Sequence, residues 1–109
     1  MAESSNIIEI TSKIQFDEAV KSEKLTIVDF WAEWCGPCRL LKPLLHKIAS
    51  ENLDIQLLTV DVDANQELAT EYGINSIPDV IFFKNWVQVD RFVGVMPENE
   101  ILDRIEANK

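Results

Sequence analysis

The segment from Leu25 to Trp31 constrains the fold more than any other part of this chain. It is apolar at both odd and even positions apart from Asp29, which is typical of a strand covered on both faces by other elements. After a short loop, a strongly helical stretch carries an apolar stripe that begins at Cys38 and continues through Ile48. A doubly covered strand that leads into such a helix predicts an α/β layer structure.

The remaining segments alternate between strand and helix patterns. Ser12 and Gln15 form a capping-box signal for the first helix, and Pro97 opens the last one. The predicted strands cover residues 7–10, 25–31, 55–61, 80–83 and 87–93, and the predicted helices cover 12–21, 35–51, 65–72 and 97 onward. A chain of 109 residues is the size of one domain, so we expect residues 1–109 to form a single unit.

Two cysteines occur, Cys35 and Cys38, at the start of the second helix. A cysteine at a helix N-terminus faces unpaired N–H groups and the positive end of the dipole, which favour a thiolate. Cys38 lies one turn further on, with its Cβ roughly 5–6 Å away, within reach of a disulfide. Because Cys38 begins the apolar stripe, it points inward, whereas Cys35 stays reachable at the tip. We predict that Cys35 attacks a substrate disulfide and that Cys38 resolves the mixed disulfide.

Residues 30–39 read Phe-Trp-Ala-Glu-Trp-Cys-Gly-Pro-Cys-Arg, and this segment resembles the active site of thioredoxins. The similarity extends over nearly the whole chain, through Asp29, Pro43, Asp61 to Asp63, Tyr72-Gly73-Ile74, Ser76-Ile77-Pro78, Phe82-Phe83-Lys84-Asn85 and Val93-Gly94. The resemblance implies the thioredoxin fold, a mixed five-stranded sheet flanked by four helices. In that fold the third strand lies between the first and second, and the fourth and fifth are antiparallel.

The resemblance also implies an activity. Thioredoxins are thiol:disulfide oxidoreductases that reduce client proteins through a redox-active disulfide, here Cys35–Cys38, with no other cofactor. The implied partners are an NADPH-dependent thioredoxin reductase and proteins that contain disulfides. Two alternatives remain from the residues: an oxidase or isomerase, and a binding module without redox turnover. The uncharged Gly36 and Pro37 do not overstabilise a thiolate, which favours the reductase over a strong oxidant.

Asp29 is a carboxylic acid inside a buried strand, where burial raises a carboxyl pKa. The residues alone do not decide between a hydrogen-bonded core group and a functional acid. Thioredoxins carry a buried Asp at the matching position. The resemblance therefore implies that Asp29 is a general acid and base for Cys38, with water as the relay.

A substrate groove is implied by the same resemblance. Its expected lining is Trp34, Gly36, Pro37, Ile77, Pro78, Val93 and Gly94. Proline bonds are cis in only about 5–6% of folded cases, so the residues alone favour a trans Pro78, whereas the resemblance implies a cis one beside the dithiol. Backbone groups near Ile77 would then pair with an extended substrate segment. Val93 is equally interpretable as an ordinary strand residue.

Four positions depart from the thioredoxin pattern, of which Ser76 in place of a common glycine is a mild change. Thr59 stands where many members have a lysine near the buried aspartate, which leaves the local charge balance open. Asp79 replaces a usual threonine and either adds a negative charge near the dithiol or points to solvent. Trp86 replaces the glycine of an Asn-Gly hairpin turn, where positive φ is easy, so the turn type is open. Trp86 is interpreted either as a surface packing residue or as an exposed contact for a partner.

The net charge, the amino-terminal residues and the lengths of the apolar runs indicate which partners and which compartment to expect. Nineteen acidic and ten basic residues give a net charge of −9, which opposes binding to nucleic acid or anionic membranes. The amino terminus lacks the basic start and apolar core of a signal peptide, and no apolar run approaches the roughly 20 residues of a membrane span. We expect a cytoplasmic monomer.

Cys35, Cys38 and the single His46 are three potential ligands where structural zinc needs four, so no metal is expected.

Overall fold

Strands and helices alternate as far as the fourth strand along residues 5–109, the part of the chain that the computed structural model describes, and a fifth strand and a fourth helix follow. The strands are β1 (Ile7–Glu9), β2 (Leu25–Trp31), β3 (Ile55–Asp61), β4 (Asp79–Lys84) and β5 (Val87–Val93). The helices are α1 (Lys13–Ala19), α2 (Gly36–Glu51), α3 (Gln66–Glu71) and α4 (Glu98–Asn108). Every predicted element is present, with its ends within two residues of the prediction.

The strands form one mixed sheet in the order β1-β3-β2-β4-β5. Strands β1, β3 and β2 are parallel, whereas β4 is antiparallel to both β2 and β5. Strand β2 is central, and its side chains enter two cores. Leu25 and Ile27 pack with residues of α2 and α4, while Val28 and Phe30 pack on the other face with Phe16 of α1. The predicted α/β class, strand order and double covering of β2 are confirmed.

The first helix begins with the predicted cap. Ser12 Oγ accepts a hydrogen bond from the Gln15 backbone N–H over 3.1 Å. Gln15 Oε1 reaches back and accepts from the Thr11 N–H over 2.7 Å, one residue before the cap. These reciprocal bonds satisfy donors that a helix start leaves unpaired.

The β4–β5 hairpin keeps a two-residue turn although Trp86 has replaced a glycine. Asn85 and Trp86 have φ values of 51° and 73°, both positive, as a type I′ hairpin turn requires. Trp86 is 63% exposed, its N–H donates to the Val20 carbonyl over 3.1 Å, and Lys21 Nζ lies 5.4 Å from the ring centroid. These contacts with the end of α1 stabilise the positive φ of Trp86, a conformation that glycine adopts more easily.

Candidate active site

The two cysteines lie at the N-terminus of α2, as their spacing predicts. Cys35 is the N-cap residue, and its Sγ accepts a hydrogen bond from the Cys38 N–H over 3.2 Å. The two sulfur atoms are bonded as a disulfide, and their Cα atoms are 5.3 Å apart. Backbone N–H groups and the helix dipole therefore act on Cys35 Sγ directly, and they stabilise a thiolate when the disulfide opens.

The expected difference in exposure between the cysteines is small in this oxidised form. Cys35 is 4% exposed and Cys38 is 2% exposed, so the expectation that Cys35 stays reachable at the tip does not hold here. Both cysteines belong to a buried cluster with Ala32, and Trp31, Val62 and Ile77 pack against this cluster. Gly36 and Pro37, which are exposed, form the accessible part of the tip instead.

The loop before β4 places Ile77 and Pro78 next to the disulfide. The Ile77–Pro78 peptide bond is cis, as the resemblance implied. The carbonyl oxygen of Ile77 lies 3.7 Å from Cys35 Sγ. The Pro78 carbonyl accepts a hydrogen bond from the Gly94 N–H over 2.8 Å, so the start of β4 is tied to the end of β5. Gly94 has a φ of +92°, a conformation that favours glycine.

Apolar side chains around this point are exposed. Trp34 is 68% exposed and Val93 is 56% exposed. The Trp34 indole does not swing freely, because its Nε1 donates to Asp63 Oδ2 over 2.9 Å. An exposed aromatic ring fixed by a hydrogen bond is suited to contact with a partner.

Asp29 lies on the face of the sheet that α2 covers, two residues beyond Ile27 on β2. It is 1% exposed, and its Oδ1 finds no hydrogen-bond partner among the described residues. Burial raises the pKa of Asp29 from 3.8 to about 7, while the positive charge of Lys42 opposes this rise. Asp29 can therefore gain and lose a proton near neutral pH.

Lys42 was not identified from the sequence, although it lies four residues after Cys38 and so on the same side of α2. Its Nζ lies 3.4 Å from the centroid of the Trp31 ring, a cation–π contact. Both residues line a cavity of about 220 Å³ together with Ala32, Glu33, Cys38 and Arg39. Thr59 pairs with Asp29 in the β2–β3 register and is buried. The positive charge that Thr59 lacks on β3 is thus supplied from α2.

The Asp79 carboxylate does not point to solvent, and its negative charge is paired. Its side chain is 2% exposed, and its carboxylate accepts two hydrogen bonds from the Arg91 guanidinium, over 2.9 Å and 2.6 Å. Asp79 therefore adds no unpaired negative charge beside the dithiol and does not point to solvent. Arg91 carried no signal of this role in the sequence, because only the β4–β5 register places it beside Asp79.

The other features lie outside this cluster of residues. His46 is half-buried on α2 and borders a depression with Arg39, Lys42 and Pro43. Within residues 5–109, no group of three His, Cys, Asp or Glu side chains is arranged to hold a metal ion. The helices of the same range include none that is long and apolar enough to cross a bilayer.

Comparison with known proteins agrees with this geometry. The sequence model of the Thioredoxin family matches residues 7–107. The chain belongs to the thioredoxin family. It is 42% identical to the thioredoxin of Mycoplasma genitalium over 89% of this chain and 95% of that protein. It is 40% identical to the thioredoxin of Rickettsia bellii over 91% of this chain and 95% of that protein.

Solved thioredoxin structures superpose closely on this chain. A mutant thioredoxin from Halobacterium salinarum has a TM-score of 0.87 at 32% identity, covering 98% of this chain and 94% of that one. A thioredoxin from Fasciola hepatica has a TM-score of 0.86 at 32% identity, with coverages of 93% and 98%. Membership of the thioredoxin family makes the chain a disulfide oxidoreductase, and the Cys35–Cys38 pair is its redox-active motif.

Proposed function

We propose that this chain is a monomeric, cytoplasmic thioredoxin of one domain that reduces disulfides in client proteins. Electrons come from an NADPH-dependent thioredoxin reductase and pass through the Cys35–Cys38 pair, with no other cofactor. The observation that carries the proposal is the disulfide at the N-terminus of α2, beside Ile77 and the cis Pro78. The net charge of −9 supports the exclusion of nucleic acid and anionic membranes as partners.

The reaction has two exchange steps. The Cys35 thiolate attacks one sulfur of the client disulfide, so that a Cys35–client bond forms and the other client sulfur leaves as a thiolate. The Cys38 thiolate then attacks Cys35 Sγ, which restores the Cys35–Cys38 bond and releases the second client sulfur. Two electrons have passed from the dithiol to the client. The reductase returns two electrons and reopens the disulfide.

Asp29 supports the second step by taking the proton of Cys38. Its pKa of about 7 suits proton transfer at neutral pH. The cavity that Cys38, Trp31 and Lys42 line would hold the water of this relay beside Cys38. Asp29 Oδ1, which has no protein partner in the described chain, is free to accept a hydrogen bond from such a water.

The client segment binds as an added strand in the groove lined by Trp34, Gly36, Pro37, Ile77, Pro78, Val93 and Gly94. The Ile77 backbone supplies the pairing groups. Exposed Trp34 and Val93 supply apolar contacts to its side chains. Pairing at Ile77 would place a client sulfur close to Cys35, since the Ile77 carbonyl is 3.7 Å from Cys35 Sγ.

A coupled assay tests the proposed function. The oxidised protein, NADPH, a thioredoxin reductase and insulin are mixed, and absorbance of NADPH and precipitation of reduced insulin are followed. We expect NADPH consumption that depends on both the protein and insulin. Dithiothreitol serves to show that the Cys35–Cys38 disulfide can be opened. If it can, and NADPH consumption still does not exceed that of a Cys35→Ser control, the chain is not this reductase.

Cys35 is expected to be the more reactive thiol of the reduced protein. The Cys38 N–H already points at Cys35 Sγ, and a helix N-terminus favours the thiolate form of a cysteine. Limiting iodoacetamide between pH 6 and pH 8 should label Cys35 roughly tenfold faster than Cys38, as read from peptide masses. The oxidised protein is the control and should remain unlabelled. Faster labelling of Cys38 would reverse the two roles.

A further inference from the structure

One arginine side chain joins both ends of the loop that carries Ile77 and Pro78. Arg91 Nε donates to Asp79 Oδ1 over 2.9 Å, and its Nη2 donates to Asp79 Oδ2 over 2.6 Å. The same Nη2 donates to the Tyr72 carbonyl over 3.3 Å. Tyr72 caps the end of α3 and Asp79 begins β4. Residues 73–78 therefore run between two points held by a single guanidinium.

The middle of this loop has little support from backbone hydrogen bonds. Its ends are bonded, through the Ile74 N–H to the Ala69 carbonyl over 2.9 Å and through the Pro78 carbonyl to Gly94. For residues 75–77, the described chain supplies no backbone–backbone hydrogen bond, and the side chains of Asn75 and Ser76 are exposed. Ile77 does pack against the second core and the cysteine cluster, and its carbonyl lies 3.7 Å from Cys35 Sγ. Because the backbone of residues 75–77 has no pairing of its own, its exact placement depends also on how firmly the two ends are held.

The chemistry of the pair suits a fixed contact. A carboxylate as buried as that of Asp79 is stable only when it is paired and hydrogen-bonded. Arg91 supplies this pairing with a planar fork, which fixes the geometry more tightly than a lysine ammonium does. The guanidinium still has an N–H for the Tyr72 carbonyl. The same side chain therefore pairs with the Asp79 carboxylate and bonds to the end of α3.

We propose that Arg91 is a positioning residue for disulfide exchange. It holds residues 73–78 so that the Ile77 backbone is already placed to pair with an extended client segment beside Cys35. This inference rests on the proposed reductase function. A loop that is already in its binding conformation loses less conformational entropy when a client binds. Loss of this order is therefore expected to raise KM for extended clients more than it lowers kcat for disulfide exchange.

The test removes both partners together, because removing Arg91 alone leaves Asp79 buried and unpaired, which is strongly destabilising. The variant is Asp79→Thr with Arg91→Met. The matched control is Asp90→Thr with Arg104→Met, which removes the 2.9 Å ion pair on the opposite face of the same strand. Thermal melts establish that both variants are folded.

We expect the Asp79/Arg91 variant to raise KM for insulin about tenfold while kcat changes less than twofold. Its rate with dithionitrobenzoate, a small disulfide that needs no strand pairing, should stay within twofold of wild type. Amide order parameters of residues 73–77 should fall from about 0.85, typical of rigid backbone, toward about 0.6. The control variant should match wild type in all three measurements.

Two results would overturn the positioning role. One is an unchanged KM for insulin in a folded Asp79/Arg91 variant, and the other is parallel slowing with both substrates. If wild type itself reduced neither substrate, the proposed function would fail. The order parameters would still test whether Arg91 holds the loop. Unchanged values at residues 73–77 in the Asp79/Arg91 variant would show that it does not.

Discussion

Cys35→Ser is expected to abolish insulin reduction, by a factor on the order of 10³ or more, because the variant lacks the attacking thiolate. Cys38→Ser is expected to fail differently. Attack by Cys35 survives, but the resolving sulfur is missing, so client proteins accumulate as mixed disulfides at Cys35. Non-reducing gels and peptide masses measure the trapped species.

The double variant Cys35→Ser with Cys38→Ser is the control for this pair of changes and should trap nothing. Its melting curve also shows how much stability the disulfide itself contributes. Wild-type activity in either single variant would contradict the assignment of attack to Cys35 and resolution to Cys38. Trapping at the remaining thiol of Cys35→Ser instead would exchange the two roles.

Asp29→Asn is expected to stabilise the fold above neutral pH and to slow resolution. Burial raises the folded pKa of Asp29 to about 7 from 3.8, so the native state binds this proton more tightly than the unfolded state does. Stability therefore falls as pH rises from about 3.8 to about 7 and is constant above that range. The difference between the two pKa values corresponds to roughly 4 kcal/mol of folding free energy lost at pH 8. The uncharged side chain of the Asp29→Asn variant does not incur this loss.

Denaturant melts at pH 5 and pH 8 measure this effect. The gain in the free energy of unfolding for Asp29→Asn should be roughly two to three times larger at pH 8 than at pH 5. Single-turnover release of the client thiol should be at least about tenfold slower, because a positioned acid and base is lost. The wild-type rate should rise with pH through about 7, and the variant should lack this rise.

Lys42→Met is the matched control for the Asp29 measurements. Lys42 lowers the pKa of Asp29, so its removal should shift the inflection in the wild-type profiles to higher pH while Asp29 still titrates. Equal stability and equal release rates for wild type and Asp29→Asn at both pH values would contradict both the raised pKa and the proton-transfer role. An inflection unmoved by Lys42→Met would show that this lysine does not influence Asp29.

The sequence by itself determined the α/β class, the limits of the elements and the redox pair. These depend on local information: the periods of apolar residues, the cap formed by Ser12 and Gln15, and the spacing of Cys35 and Cys38 along one helix. A run such as residues 25–31 has few conformations that bury both of its faces. Local patterns therefore sufficed for the strands and for the helix that carries the dithiol.

Only the tertiary structure decided the electrostatics around that dithiol. Lys42 and Asp29 lie on different elements, and Arg91 meets Asp79 and Tyr72 through the β4–β5 register and the end of α3. Contacts between residues so far apart in sequence have no periodic signature. The near-equal burial of Cys35 and Cys38 has the same origin, because the covering residue Ile77 comes from a loop distant in sequence that packs on α2 only in the folded chain.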